Sequence, residues 1–134
     1  MSNTLVELKS IRKTFGNVVA VDSVNLSISR GEFVVLLGPS GSGKTTILSM
    51  LGGFMTPSAG QILIEGVDVT QVPPARRPTV TVFQDYALFP HMSVASNVGF
   101  GLAMRKVPKD ERARRAEESL RLVGLEGFGD RSID

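Results

Sequence analysis

The pattern G-x-x-x-x-G-K-T at residues 38–45 constrains this chain more than any other feature. It follows an all-apolar run, FVVLL at residues 33–37, and opens the segment KTTILSMLGGF, where Ile47, Leu48 and Leu51 recur at helical spacing before Gly52 and Gly53. A run apolar at every position suits a strand covered on both faces of a parallel sheet, and the paired glycines stop the helix. Strand, glycine-rich turn and helix are the opening of an α/β unit. The turn has a chemical reason for its glycines: several backbone N–H groups must approach phosphate oxygens closely, and Cβ atoms at the tightest points block that approach. Gly38, Gly41 and Gly43 remove them, while Pro39, Ser40 and Ser42 complete the loop ahead of Lys44, Thr45 and Thr46. The helix directs its positive N-terminal end at the same place, the Lys44 ammonium reaches the terminal phosphates, and the Thr45 hydroxyl suits Mg²⁺. Chance yields such a pattern in about 0.5% of chains this long, so a bare flexible turn is the poorer explanation.

Composition narrows the class. At 134 residues, 42% hydrophobic and 21% charged, the chain has the apolar content of one packed domain and too little charge for a disordered segment. No apolar run approaches the ~20 residues that span a bilayer, and the start MSNTLVELKS lacks the basic-then-apolar layout of a secretory leader, so a cytosolic location is expected. The absence of cysteine excludes disulfides and thiolate metal sites, and His91 alone cannot build a zinc site. A net charge of +2 makes no case for nucleic acid. Positive residues do gather in RKVPKDERARR, from Arg105 and Lys106 through Lys109, Arg112, Arg114 and Arg115, but no aromatic residue stands among them to stack on bases. That cluster reads as a solvated helix start or as a face for an anionic partner.

Along the chain, LVELKSIRKTF and VVAVDSVNLSIS alternate apolar and polar residues, as half-buried antiparallel strands do. GQILIEGVDVT predicts a hairpin turning at Glu65 and Gly66, VPPARRP a loop whose prolines forbid a helix, and TVTVFQ another short strand. Helical spacing returns in SVASNVGFGL and again from Pro108 to Val123, where Ala113, Ala116, Leu120 and Val123 share a face ahead of Gly124.

With LLGPSGSGKTTILSMLGGFMTPSAGQILIEGVDV followed by TVFQDYALFPHMSVASNVGFGL, the chain resembles the ATP-binding subunit of ABC transporters of the importer type over essentially all of its 134 residues. The resemblance implies an α/β, P-loop NTPase fold in partial form: an N-terminal antiparallel β subdomain, the start of a parallel-sheet core with the phosphate-loop helix, and the start of a helical subdomain. Residues 1–134 would make an incomplete nucleotide-binding domain, with ATP and Mg²⁺ as cofactors. Phe15, in RKTFG, matches the family's adenine-stacking position; read without the family it is a strand-end core residue. Gln84 matches the glutamine that touches Mg²⁺ and the attacking water, a role shared with Lys44 at the reacting phosphate; read without the family it is an ordinary loop glutamine. YALFPHMSV would help receive a short coupling helix from the transmembrane permease subunits, with Phe89 and Met92 either as anchors or as core. A second ATPase subunit is the other implied partner, nucleic acid is not one, and the implied location is peripheral, on the cytoplasmic face of the plasma (inner) membrane.

The family's LSGGQ signature, its Asp-Glu pair after four apolar residues and its later strand-end histidine do not occur in these 134 residues. Without that glutamate the attacking water lacks a general base, a loss of roughly 10² to 10⁴ in rate, so the chain by itself is expected to bind nucleotide poorly and to hydrolyse it negligibly. The missing strands would be central ones, leaving FVVLL and TVTVF without partners and the chain marginally stable. FQDYALFPHMSV with NVGFGL looks most like importers of putrescine or spermidine, with ferric iron, thiamine, sulfate and sugar importers as alternatives. Two other readings stay open: a kinase or GTPase that uses Asp85 for magnesium, and a non-hydrolysing nucleotide-binding fragment.

Overall fold

The computed structural model describes residues 3–133, which fall into two compact units, one running to Thr81 and the other starting at Val82. In the first, β1 (Thr4–Phe15) and β2 (Val18–Ser29) form the long antiparallel hairpin that their alternation predicts, with Phe15 opposite Val18 at its closed end. β3 (Ala59–Ile64) pairs with the other edge of β1, and β4 (Val67–Asp68) returns beside β3, giving the sheet order β2-β1-β3-β4. The predicted hairpin turn is made by Glu65 at φ 52 and Gly66 at φ 78, both on the positive side that a two-residue turn between twisted strands demands.

Strict alternation would send Leu8 and Ile11 to opposite faces of β1, because they stand three residues apart. Both are nevertheless buried. A register shift between them, with Ser10 at φ 47 and its N–H donated to Asn25 Oδ1 at 2.8 Å, inserts the extra residue that turns Ile11 back to the core. Val21 and Val24 on β2 are related in the same way across Ser23, at φ 49. The core of this unit is therefore the inner face of a bulged sheet, Leu8, Ile11, Val21, Ile62 and Ile64, closed by Met50 of α1 (Lys44–Gly52).

Three expectations need correction. FVVLL and TVTVFQ do not form strands: among the described residues no ladder includes them, no parallel pair exists, and Phe33 and Val80 are 91% and 96% exposed. Apolar, β-branched composition favours a strand only where another strand supplies a ladder of hydrogen bonds, and among the described residues no strand pairs with these two segments. VPPARRP is not wholly irregular, since Pro74–Arg76 makes one 3₁₀ turn; proline at the first position of a helical turn has no N–H to lose.

The second unit is helical, as its spacing predicts. α2 (Val94–Val98) and α3 (Phe100–Met104) meet at Gly99, and α4 (Lys109–Leu122) runs from Pro108 to a turn at Gly124, φ 74. Of the four residues expected on one face of α4, Ala116 and Leu120 are buried while Ala113 and Val123 are exposed. Val123 leaves the helix at φ −106, ψ 11, so its side chain no longer follows the helical stripe.

Candidate functional site

The phosphate loop ends where α1 begins. Gly43 stands just ahead of Lys44 at φ 89, and a Cβ on it would lie 2.6 Å from the Ala20 carbonyl oxygen, so the loop is pressed against the backbone of β2. The first α-helical hydrogen bond runs from the Ile47 N–H to the Gly43 carbonyl at 2.9 Å. The amides of Lys44, Thr45 and Thr46 consequently have no acceptor within the helix, and they carry the positive end of its dipole. Lys44 folds back over the loop: its Nζ donates to the carbonyls of Gly38 (2.8 Å) and Pro39 (2.6 Å) and to Ser42 Oγ (3.0 Å). A Cβ on Gly38 would meet Ser42 Oγ at 2.7 Å, which shows how tightly the loop curls around this ammonium. Such a cradle, with free amides, a cation and no room for a Cβ at Gly38 or Gly43, fits the phosphates of a nucleotide. Ser40 and Gly41, the latter at φ 78, form its exposed crest.

Phe15 is brought to the same end of the sheet. Its partner Val18 lies two residues before Ala20, on which Gly43 packs, a separation of about 7 Å along a strand. The ring is 49% exposed, so it is not the strand-end core residue that a family-free reading allows. The Lys13 ammonium sits 5.3 Å from its centroid. Gln84 and Asp85 belong to the second unit, in an exposed turn held by Tyr86 N–H to Phe83 carbonyl at 3.1 Å. Among the described residues no group of three or more His, Cys, Asp or Glu side chains converges to hold a metal ion.

In the second unit Phe89 packs its ring on Phe100 with centroids 4.3 Å apart, yet remains partly exposed. Met92 and Phe100 line a cavity of about 250 Å³ with Ala95, Ala103, Lys109 and Arg112. The loop before α2 is fastened by Asn97, whose Oδ1 accepts from Phe89 N–H (2.8 Å) and whose Nδ2 donates to the carbonyls of Phe89, Met92 and Ser93. Ser93 caps α2 by accepting the Ser96 N–H at 3.3 Å. Sequence reasoning passed over Asn97, although an asparagine one turn after a serine cap is a usable sign of a stapled loop. It also passed over Arg77, a buried guanidinium that donates to the carbonyls of Met50, Leu51, Thr70 and Val72. Burial lowers its pKa from the ordinary value.

A glycine cradle at the start of a helix, seated on a sheet edge, defines a nucleotide-binding protein of the phosphate-loop class. The family model described as ABC transporter matches residues 21–134, and the chain belongs to that family. It is 56% identical, over 95% of its length, to the spermidine/putrescine import ATP-binding protein PotA of Oleidesulfovibrio alaskensis, and covers 34% of that protein. It is 52% identical over 99% of its length to the Fe(3+) ions import ATP-binding protein FbpC of Pasteurella multocida, of which it covers 38%. The chain thus spans about a third of the curated relatives it matches. Among solved structures, a dimeric structure of MJ0796, a bacterial ABC transporter cassette, superposes with a TM-score of 0.84 at 32% identity, covering 96% of this chain and 61% of that one. A second MJ0796 structure, a dimeric post-hydrolysis state bound to ADP and Pi, superposes with a TM-score of 0.80 at the same 32% identity, covering 96% of this chain and 62% of that one. The expected fold class, an ABC ATPase fold in partial form, stands, with the segments expected as parallel strands outside any ladder among the described residues.

Proposed function

We propose that this chain is the phosphate-gripping portion of an ATP-binding subunit of an ABC importer, where ATP binding and hydrolysis drive solute uptake through transmembrane permease subunits. The observation that carries the reading is the Gly38–Thr46 cradle at the head of α1, in a chain 56% identical to a protein named for import. The amides of Lys44, Thr45 and Thr46 hold phosphate oxygens, and the Lys44 ammonium exchanges neutral loop carbonyls for anionic acceptors, which are the stronger partners. The Thr45 hydroxyl is the cradle's own group for Mg²⁺, which, when bound, neutralises charge on the terminal phosphates; Gln84 keeps the Mg²⁺ and water role that the family resemblance implies for it. The half-exposed Phe15 ring offers a face to adenine beside the loop.

Spermidine or putrescine is the preferred solute, on the 56% relative; ferric iron is the second reading, on the 52% relative. A second ATPase subunit and a permease are the proposed partners, at the cytoplasmic face of the membrane; no described helix is long and apolar enough to cross one. Calorimetric titration with MgATP tests the nucleotide reading. Saturable heat in the wild-type chain that falls at least tenfold in affinity in Lys44→Ala supports it, and equal behaviour of the two, with or without heat, refutes it.

A further inference from the structure

We propose that Arg77 is a positioning residue for the phosphate loop: its buried guanidinium anchors the far end of α1 and thereby sets the pose of the amides at the near end. The proposal rests on the nucleotide-binding reading for its purpose, but not for its geometry. Arg77 is 7% exposed and all of its hydrogen-bond partners are main-chain carbonyls: Met50 (2.8 Å) and Leu51 (3.0 Å) in the last turn of α1, and Thr70 (3.2 Å) and Val72 (2.7 Å) in the segment after β4. A buried cation without a carboxylate is a costly thing to keep, and four carbonyls are what make it tolerable.

Those carbonyls are where α1 needs a donor. The helix ends with Gly53 at φ 82, with Phe54 N–H bound to the Ser49 carbonyl (2.9 Å) and Gly53 N–H to that of Met50 (3.2 Å). Leu51 and the second lone pair of Met50 are left to Arg77, whose positive charge also meets the negative end of the helix dipole. The fit is close: a Cβ on Gly53 would lie 2.6 Å from Arg77 Nε. α1 has nine residues, hence a length of about 13 Å, and behaves as a rigid rod. Its head is seated by Gly43 on the Ala20 carbonyl and its tail by Arg77. With the tail released, the rod pivots on Gly43, and the amides of Lys44, Thr45 and Thr46 turn with it.

The experiment compares Arg77→Lys and Arg77→Met with the wild-type chain at a temperature where circular dichroism shows each folded, with two readouts. The first is the amide resonances of Lys44, Thr45 and Thr46 without nucleotide. They are expected to shift in Arg77→Lys, which keeps a cation but not the fork, and unchanged resonances overturn the proposal whether or not the chain binds nucleotide. The second is MgATP affinity, expected to fall about tenfold in Arg77→Met and to recover in part with millimolar methylguanidinium but not with methylammonium. Affinity within twofold of wild type overturns the proposal, as does equal recovery with both ions. If Arg77→Met fails to fold, Arg77→Lys carries both readouts, with an expected loss of threefold or more. A wild-type chain that shows no heat with MgATP refutes the nucleotide reading separately, and the free-state resonances still decide the role of Arg77.

Discussion

Gly43 carries two constraints at once: a backbone angle of φ 89 and a Cβ direction that ends 2.6 Å from the Ala20 carbonyl oxygen. The angle alone costs a non-glycine residue about 1–2 kcal/mol, and the contact with backbone cannot be relieved by a side-chain rotation. Gly43→Ala is therefore expected to lose about 2 kcal/mol or more in urea unfolding; a loss below about 0.5 kcal/mol would show that the loop is not pressed on β2. Asp68 makes a different residue-scale case. Its carboxylate accepts the Thr70 hydroxyl and amide, and more weakly the Gln61 side chain, and these bonds hold its pKa below the ordinary value. A folded-state pKa lower than the unfolded one stabilises the fold above about pH 4 and loses that contribution as pH falls through the folded value. In Asp68→Asn the urea midpoint is expected to fall less steeply than wild type from pH 4 downwards. Parallel curves would mean that the Thr70 contacts do not persist in solution.

Among the elements, α2 depends most on a single cap. It has five residues, too few to persist on propensity, and its entry is tied by Ser93 and by the Asn97 bonds to the Phe89–Ser93 loop. Ser93→Ala is expected to cost about 1 kcal/mol of stability, read by denaturant unfolding, while leaving the helix content of α4 unchanged. What could be read from the sequence follows the same division between local and non-local causes. The β1–β2 hairpin, the Glu65-Gly66 turn, α1 with its glycine stop and α4 with its flanking Pro108 and Gly124 are written in residues that act on their own neighbours. The bulge at Ser10 is not, because the residues that need it, Leu8 and Ile11, declare only that both are apolar. Arg77 was invisible for a related reason: its partners are carbonyls of Met50 and Leu51, and main-chain acceptors have no letter in a sequence. The glycine turn that ends at Gly43 and the helix start at Lys44 were legible, since such a turn demands glycines at named positions; the guanidinium bonded to the far end of that helix was not.

The whole molecule is dominated by what FVVLL and TVTVF lack. Phe33, Leu37, Val80 and Val82 expose almost their entire side chains, on two segments of high β-propensity without a ladder among the described residues. Apolar segments of high β-propensity that lie outside any ladder recruit other backbones, so copies of this chain are expected to associate through these segments at a rate that rises with concentration. The core around Leu8, Ile11 and Met50 does not include them, so charge placed there disturbs association without disturbing folding. A Val80→Lys, Val82→Glu double variant is accordingly expected to lower light scattering at 37 °C by several-fold while the thermal midpoint moves by no more than about 2 °C. A midpoint that collapses in the double variant would mean that residues 80–82 are packed in solution, and unchanged scattering would place the sticky surface elsewhere. Lower scattering with an unmoved midpoint would locate the association in these two segments, and the natural cure for such apolar, β-prone segments is a sheet neighbour of their own.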